Sequence, residues 1–248
     1  MTLLYHGDCN ELMDEIPDKS VDLIFTDLPY GQVSCEWDKK IDFPKMWEQF
    51  TRIKKLNTPI FFCCSTKFGV EIINSAPKKI PFRYDIVWVK SAPAGFLSAK
   101  KMPMRKHEML YVFYERLPFY DLSSHQHKFI KDDDKKEEDY ETCEKPSRQT
   151  MYGNIDIYEP KRRGEPRYDP PLPVSILEIK SQRGKHATQK PTELMKWVLK
   201  YYSKEGDTIL DPTMGSGSTG VACMEMNRNF IGIEMDPEIF EVAKGRLS

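Results

Sequence analysis

Short apolar runs alternate with helical patterns at both ends of this chain, and that alternation most constrains its fold. The runs at residues 3–6, 21–26, 59–64, 84–89, 109–114, 208–210 and 230–233 have strand length. Between them, apolar residues recur at three- and four-residue spacing over 43–55, 67–75, 192–203, 218–227 and 237–247. Strands that alternate with helices predict βαβ units, a mostly parallel sheet and an α/β fold. Seven strands suffice for one sheet. No clear helix separates 84–89 from 109–114, which predicts an antiparallel edge pair there.

The middle of the chain is different. Residues 128–141, KFIKDDDKKEEDYE, are dense in charge and cannot bury enough apolar surface to fold alone. Residues 142–190 carry ten Lys and Arg against six acids, in a chain whose totals nearly balance at 37 and 38. Tyr152, Tyr158, Tyr168 and the run Asp169-Pro170-Pro171-Leu172-Pro173 argue against regular helix. The stretch reads as a loop-rich insertion, either solvated or in contact with nucleic acid. Its candidates for phosphate or guanine contacts are Arg148, Lys161, Arg162, Arg163, Arg167 and Arg183, since Arg binds guanine O6 and N7 in a bidentate way. The expected organisation is a catalytic half over 1–115, a basic insertion over 116–184 and a ligand-binding half over 185–248.

Composition excludes several classes. At 248 residues, 40% hydrophobic and 30% charged, the chain suits one globular domain with an insertion. No run approaches the roughly 20 apolar residues of a membrane span, and Asp8 interrupts any signal-peptide core. Cys9, Cys35, Cys63, Cys64, Cys143 and Cys223 include no Cys-x-x-Cys, so no metal site is expected and the thiols are read as reduced, in a cytoplasmic protein.

Two strand-end motifs carry the chemistry. In Val21-Asp22-Leu23-Ile24-Phe25-Thr26-Asp27-Leu28-Pro29-Tyr30 an apolar run stops at an acid, the place where open α/β sheets bind ligands. Asp27 supplies an acceptor, Pro29 restrains Leu28 so that its carbonyl can point outward as a second, and Tyr30 supplies a flat face. Two acceptors and an aromatic plane suit a planar group bearing NH₂, such as a base lifted from its stack; a plain Asp-x-Pro turn is the other reading. The second motif, Thr208-Ile209-Leu210-Asp211-Pro212-Thr213-Met214-Gly215-Ser216-Gly217-Ser218-Thr219-Gly220, is a strand, a glycine turn and a helix start. Gly215, Gly217 and Gly220 satisfy G-x-G-x-x-G, and Glu234 ends the following strand, where an acid can hold ribose hydroxyls.

These residues resemble a family. Asp27-Leu28-Pro29-Tyr30 is similar to the Asp-Pro-Pro-Tyr signature of amino-group DNA methyltransferases, and Asp211-Pro212-Thr213-Met214-Gly215-Ser216-Gly217 to their Asp-Pro-Phe-x-Gly-Ser-Gly loop. His186-Ala187-Thr188-Gln189-Lys190-Pro191 resembles the His-Pro-Thr-Gln-Lys-Pro segment, and His6-Gly7-Asp8-Cys9 the Gly-Asp-Cys start, of the permuted β group, in which the catalytic motif precedes the cofactor loop. Leu28 stands for the first Pro, Thr213-Met214 for Phe-x, and Ala187 for a Pro.

The resemblance implies a circularly permuted Rossmann-like sheet and S-adenosylmethionine as methyl donor. It implies that Asp27, Leu28, Pro29 and Tyr30 handle a flipped base. It places Asp8 at the cofactor's adenine amino group, Asp211 at its ammonium, Thr188 or Lys190 at its carboxylate, Gly215, Ser216 and Gly217 beneath it, and Glu234 at its ribose. Asp8 reads equally as a helix N-cap. The acceptor implied is N6 of adenine in double-stranded DNA; N4 of cytosine, RNA or a protein amide fit the same acceptors. A homodimer and a cognate restriction endonuclease are the further partners considered. A nicotinamide-dependent oxidoreductase and a catalytically silent nucleic-acid-binding protein of the same fold are the rival classes.

Overall fold

A computed structural model of the chain describes residues 1–29, 41–128, 168–182 and 189–248, with the backbone alone of 149–150 and 153–154. The elements are β1 (Thr2–His6), α1 (Cys9–Leu12), β2 (Leu23–Thr26), α2 (Phe43–Ile53), β3 (Ile60–Cys64), α3 (Thr66–Ser75), β4 (Phe82–Ala94), β5 (Arg105–Phe113), β6 (Gln126–His127), β7 (Gln149–Thr150), β8 (Gly153–Asn154), β9 (Tyr168–Asp169), β10 (Ile176–Glu178), α4 (Thr192–Tyr202), β11 (Thr208–Asp211), α5 (Ser218–Glu225), β12 (Asn229–Glu234) and α6 (Pro237–Arg246).

The chain divides into two units, Met1–Asp121 with Val174–Ser248, and Leu122–Pro173. The first holds one sheet in the order β1-β12-β11-β2-β3-β5-β4-β10. The seven expected strands are all in it, so both ends of the chain build one sheet. Two expectations are corrected. Among the described residues the sheet has eight strands, because Ile176–Glu178 pairs in parallel with β4 as its outer neighbour. The antiparallel strand is interior: β5 pairs with both β3 and β4. In the smaller unit β6 pairs with β9 and β7 with β8, both antiparallel.

Alternation along β2 and β3 explains the layers. Leu23, Phe25, Phe61 and Cys63 point into one core with Leu194, Val198 and Leu199 of α4, Ala222 of α5 and Ala243 of α6. Ile24, Ile60, Phe62 and Cys64 point into the other with Met46, Trp47 and Phe50 of α2 and Phe68 and Ile72 of α3. Both faces of the central strands are therefore covered, which is why β2 and β3 are buried throughout and read as unbroken apolar runs. Local signals start the helices: Asp42 and Ser65 cap α2 and α3 by accepting from the backbone N–H of Lys45 and Phe68.

The strand order creates a crevice. β11 leads through α5 to β12 on one side, whereas β2 leads through α2 to β3 on the other. β11 and β2 are parallel neighbours, with Ile209 opposite Leu23 and Leu210 opposite Ile24. The chain thus departs in opposite directions from two adjacent strand ends, the place where open α/β sheets leave room for a ligand.

Candidate active site

Four expected acids fall on four neighbouring strands. Asp8 follows β1, Glu234 ends β12, Asp211 ends β11 and Asp27 follows β2, all at carboxyl ends of parallel strands. The two motifs are tied directly, since Thr26 and Thr213 hydroxyls lie 2.9 Å apart. Thr213 stands where the family has Phe, and its side chain makes this bridge. Met214 turns into the core, 5% exposed, over Gly232, where any Cβ would overlap its sulfur.

The glycine turn is pinned at several points. Gly215 and Gly217 have φ of 53° and 80°, which L side chains rarely adopt. Gly217 caps α5, and a Cβ there would come within 3.0 Å of Leu247. Gly220 brings α5 against Phe230 and Leu247, with Cβ distances of 2.7 and 2.8 Å. Glu234 accepts from the Gly215 N–H at 2.9 Å and from the Asp236 N–H at 2.8 Å. Arg246 donates to the Ser216 carbonyl at 2.5 Å and its hydroxyl at 3.0 Å. Among the described residues, a Cβ on Gly215 would meet no atom within 4 Å, so this side of the turn is open to them.

Asp211 is nearly inaccessible and accepts from the Thr213 N–H at 3.2 Å and the Thr219 hydroxyl at 2.6 Å. Burial, with the charges of Asp27 and Glu234 against it, raises its carboxyl to about 7. Burial raises Glu234 as well. Asp8 caps α1 by accepting from the Asn10 N–H at 2.8 Å.

At the same rim the Lys190 ammonium pairs with Asp27 and lies 3.5 Å from Glu108. Glu108 in turn pairs with Lys90, giving the series Lys90, Glu108, Lys190, Asp27. Burial works against the Lys190 charge, but Asp27, Cys63 and Glu108 outweigh it and hold its pKa above the ordinary lysine value. Burial also opposes charge on Glu108, and the two lysines outweigh it, holding its pKa below the ordinary range. Burial pushes the Cys64 thiol up to about 12 and Cys63 well above its ordinary value, so both fit as core residues. Leu28 buries its side chain beside α1 and α2, and Pro29 follows it.

Glu108, Lys90, Thr219 and Arg246 went unnoticed in the sequence. Glu108 had a signal: an antiparallel strand begins at the rim where its parallel neighbours end, and Lys106-His107-Glu108 opens β5 opposite the end of β3. Tyr30, Thr188, Arg148, Lys161, Arg162, Arg163, Arg167 and Arg183 lie outside the described residues.

The family model that matches, described as DNA methylase, spans residues 21–245. The Type II methyltransferase M2.LlaDCHI of Lactococcus lactis subsp. cremoris is 27% identical over 271 aligned positions, covering 99% of this chain and 89% of that protein. M2.DpnII of Streptococcus pneumoniae is 26% identical over 269, with the same coverage of each. Among solved structures, the M1.HpyAVI complex with S-adenosylmethionine superposes with a TM-score of 0.65 at 25% identity, both chains covered in full. The cytosine-N4-specific PvuII DNA methyltransferase shares the fold, with a TM-score of 0.66 at 15% identity over all of this chain and 86% of that one. The matched family model takes in Asp27, Lys190, Asp211 and Glu234 together with the strands that bring them to one rim, and the chain belongs to the DNA methylase family.

Proposed function

We propose that this chain transfers a methyl group from S-adenosylmethionine to the exocyclic N6 of adenine in DNA. The observation that carries the reading is the pair of acids on adjacent parallel strands at the crevice: Asp27, already neutralised by Lys190, and Asp211, held by neutral donors only among the described residues. One acid is prepared for a neutral amine and the other for a cation.

The site fits the cofactor on its own chemistry. Burial, with the charges of Asp27 and Glu234 nearby, raises the cost of ionising Asp211, so a positive ligand is favoured there, and the open side of Gly215 leaves space beside it. S-adenosylmethionine, when bound, brings a cationic ammonium and an electrophilic methyl on sulfonium. Asp211 would face the ammonium, Glu234 the ribose hydroxyls, Asp8 the adenine and Thr188 the carboxylate end, while Gly215, Ser216 and Gly217 pass beneath.

An exocyclic amine is a poor nucleophile because its lone pair is delocalised into the ring. Asp27 and the Leu28 carbonyl, accepting its two N–H groups, favour a tetrahedral nitrogen with its lone pair free, a stabilisation made in the transition state by acceptors already in place. Lys190 pairs with Asp27 and holds its carboxylate at the crevice. Tyr30 stacks on the extruded base, a contact worth roughly 1–3 kcal/mol. Pro29 holds the turn. The basic side chains Arg148, Lys161, Arg162, Arg163, Arg167 and Arg183 are assigned to DNA phosphates and guanines. A homodimer as working form, a cognate restriction endonuclease as partner and a cytoplasmic location complete the reading.

The test is transfer of labelled methyl to unmethylated DNA of mixed sequence, single-stranded and duplex, with mass spectrometry of the nucleosides. N6-methyladenine is expected. N4-methylcytosine would correct the target base, and cofactor binding with no label in either DNA would overturn the reading.

A further inference from the structure

Beyond Val89 the hairpin of β4 and β5 leaves the body of the sheet. β4 continues to Ala94, which still pairs with Arg105 at the start of β5. At about 3.3 Å per residue, the strand stands roughly 15 Å past Val89. From residue 91 to 107 every position except Ser98 is exposed. The tip is nevertheless built. Gly95 takes a φ of 91° and opens a turn of 3₁₀ helix over Phe96–Ser98. The N–H groups of Ser98, Ala99, Lys101 and Met102 donate to the carbonyls of Gly95, Phe96, Ser98 and Ser98, at 2.9–3.1 Å.

This ordered turn presents its largest apolar side chains to solvent. Phe96 is 83% and Leu97 100% exposed, and Met102 and Met104 are exposed behind them. Residues 90–107 include five Lys and Arg and no acid, in a chain of net charge −1. An apolar tip on a basic stem matches a partner with regular negative charge outside and stacked flat surfaces within. The arm also rises from the right place. β2, β3 and the start of β5 meet at the rim that bears Asp27, and Lys90 at the base of the arm joins the ion-pair series that ends on Asp27.

We propose that the β4–β5 arm is a DNA-binding element at the mouth of the active site. Lys100, Lys101, Arg105 and Lys106 take phosphates, and Phe96 and Leu97 enter the base stack beside the target nucleotide. Apolar wedges of this kind unstack a step, which assists extrusion of a base. The inference rests on the DNA methylation reading and adds a surface to it.

The test uses the full chain and fluorescent oligonucleotides, single-stranded and duplex, titrated across salt concentrations, with 2-aminopurine fluorescence reporting unstacking. The variant Lys100→Ala/Lys101→Ala/Arg105→Ala/Lys106→Ala is expected to bind roughly tenfold or more weaker and to lose about 3 from the log–log salt slope. Phe96→Ala/Leu97→Ala should keep the slope, bind roughly 5–50-fold weaker and lose the 2-aminopurine rise. In both, S-adenosylhomocysteine affinity and melting temperature should stay at wild-type values, since all six side chains are solvent-exposed or on the exposed stem. Wild-type DNA binding in both variants would overturn the arm alone. So would variants whose only change is a lost self-association in sedimentation or a lost affinity for phosphatidylserine vesicles. A wild-type chain that neither binds nor methylates DNA would overturn both readings.

Discussion

Asp27 and Asp211 sit at the ends of neighbouring strands, yet their surroundings are opposite. Asp27 faces a buried ammonium that is itself gripped by a second carboxylate. Asp211 is more deeply buried and is met by a backbone N–H and a hydroxyl. The first is a charge whose counterion is built into the protein. The second is a charge whose counterion must arrive, and its carboxyl stays near 7 until one does. The same residue type thus stands in two electrostatic settings at adjacent strand ends, which the proposed function assigns to substrate and to cofactor, and the difference lies in a lysine 163 residues away in sequence.

The largest effect is expected at Asp27. Asp27→Ala should lower methyl transfer by roughly 10²–10³-fold or more, with cofactor affinity by calorimetry within about twofold of wild type. Asp211→Ala should do the reverse, weakening cofactor affinity first. If both variants lose cofactor affinity alike, the comparison breaks.

Lys190 comes next. Lys190→Met leaves Asp27 and Glu108 facing each other without their shared cation, and uncompensated buried charge costs about 3–5 kcal/mol. Chemical denaturation should show a loss of that order. Adding Glu108→Gln removes one of the two stranded charges, so the double variant should regain part of the stability. A double variant no more stable than Lys190→Met would mean that Glu108 and Lys190 are not energetically coupled.

The fold was legible because its strands are short apolar runs bounded by turns, and the four rim acids because each ends or follows such a run. Asp8 could be read as a cap, and it is one. What escaped has physical reasons. β10 is three residues long, buries only Leu177 and follows a proline-rich stretch, so it lacks the periodicity that marks a strand. The interior place of β5 depends on pairings between residues far apart in sequence, which local pattern does not encode. Lys190 was identified by motif and expected to serve a ligand, but its partner across the crevice is visible only once β2 and the segment before α4 are brought together.

A smaller effect sharpens the contrast through pH. Asp211 titrates near 7 in the fold and near 3.9 when unfolded. Between those values the folded state holds a proton that the unfolded state has lost, so stability falls as pH rises and the full cost is reached above about 7. Glu234 is shifted in the same direction. Without cofactor, the melting temperature should therefore decline from pH 5 to 8, and Asp211→Asn should flatten the decline, recovering on the order of 2–4 kcal/mol at pH 8. A bound cation prefers the ionised carboxyl, so cofactor affinity should rise over the same interval in the wild type and lose that rise in Asp211→Asn. A wild-type melting temperature that climbs from pH 5 to 8, with Asp211→Asn climbing equally, would show that Asp211 is ionised throughout.

The smallest effect concerns what holds the two acids in register. Thr26 and Thr213 join β2 to the glycine turn by one hydroxyl pair at 2.9 Å, with Thr26 fully buried. Thr213→Val keeps the shape and removes one hydroxyl, leaving Thr26 without this partner. The stability loss should be about 1–2 kcal/mol, the range for a buried polar group left unpaired. Because the bridge fixes the β11 turn against β2, transfer should fall by more than either cofactor or DNA affinity, as expected when a small misplacement of reacting groups costs rate more than binding. Thr26→Val/Thr213→Val removes both polar ends and should recover stability without recovering rate. Recovery of both would mean that the bridge only satisfies a buried hydroxyl and that the spacing of Asp27 and Asp211 is set by the strands alone.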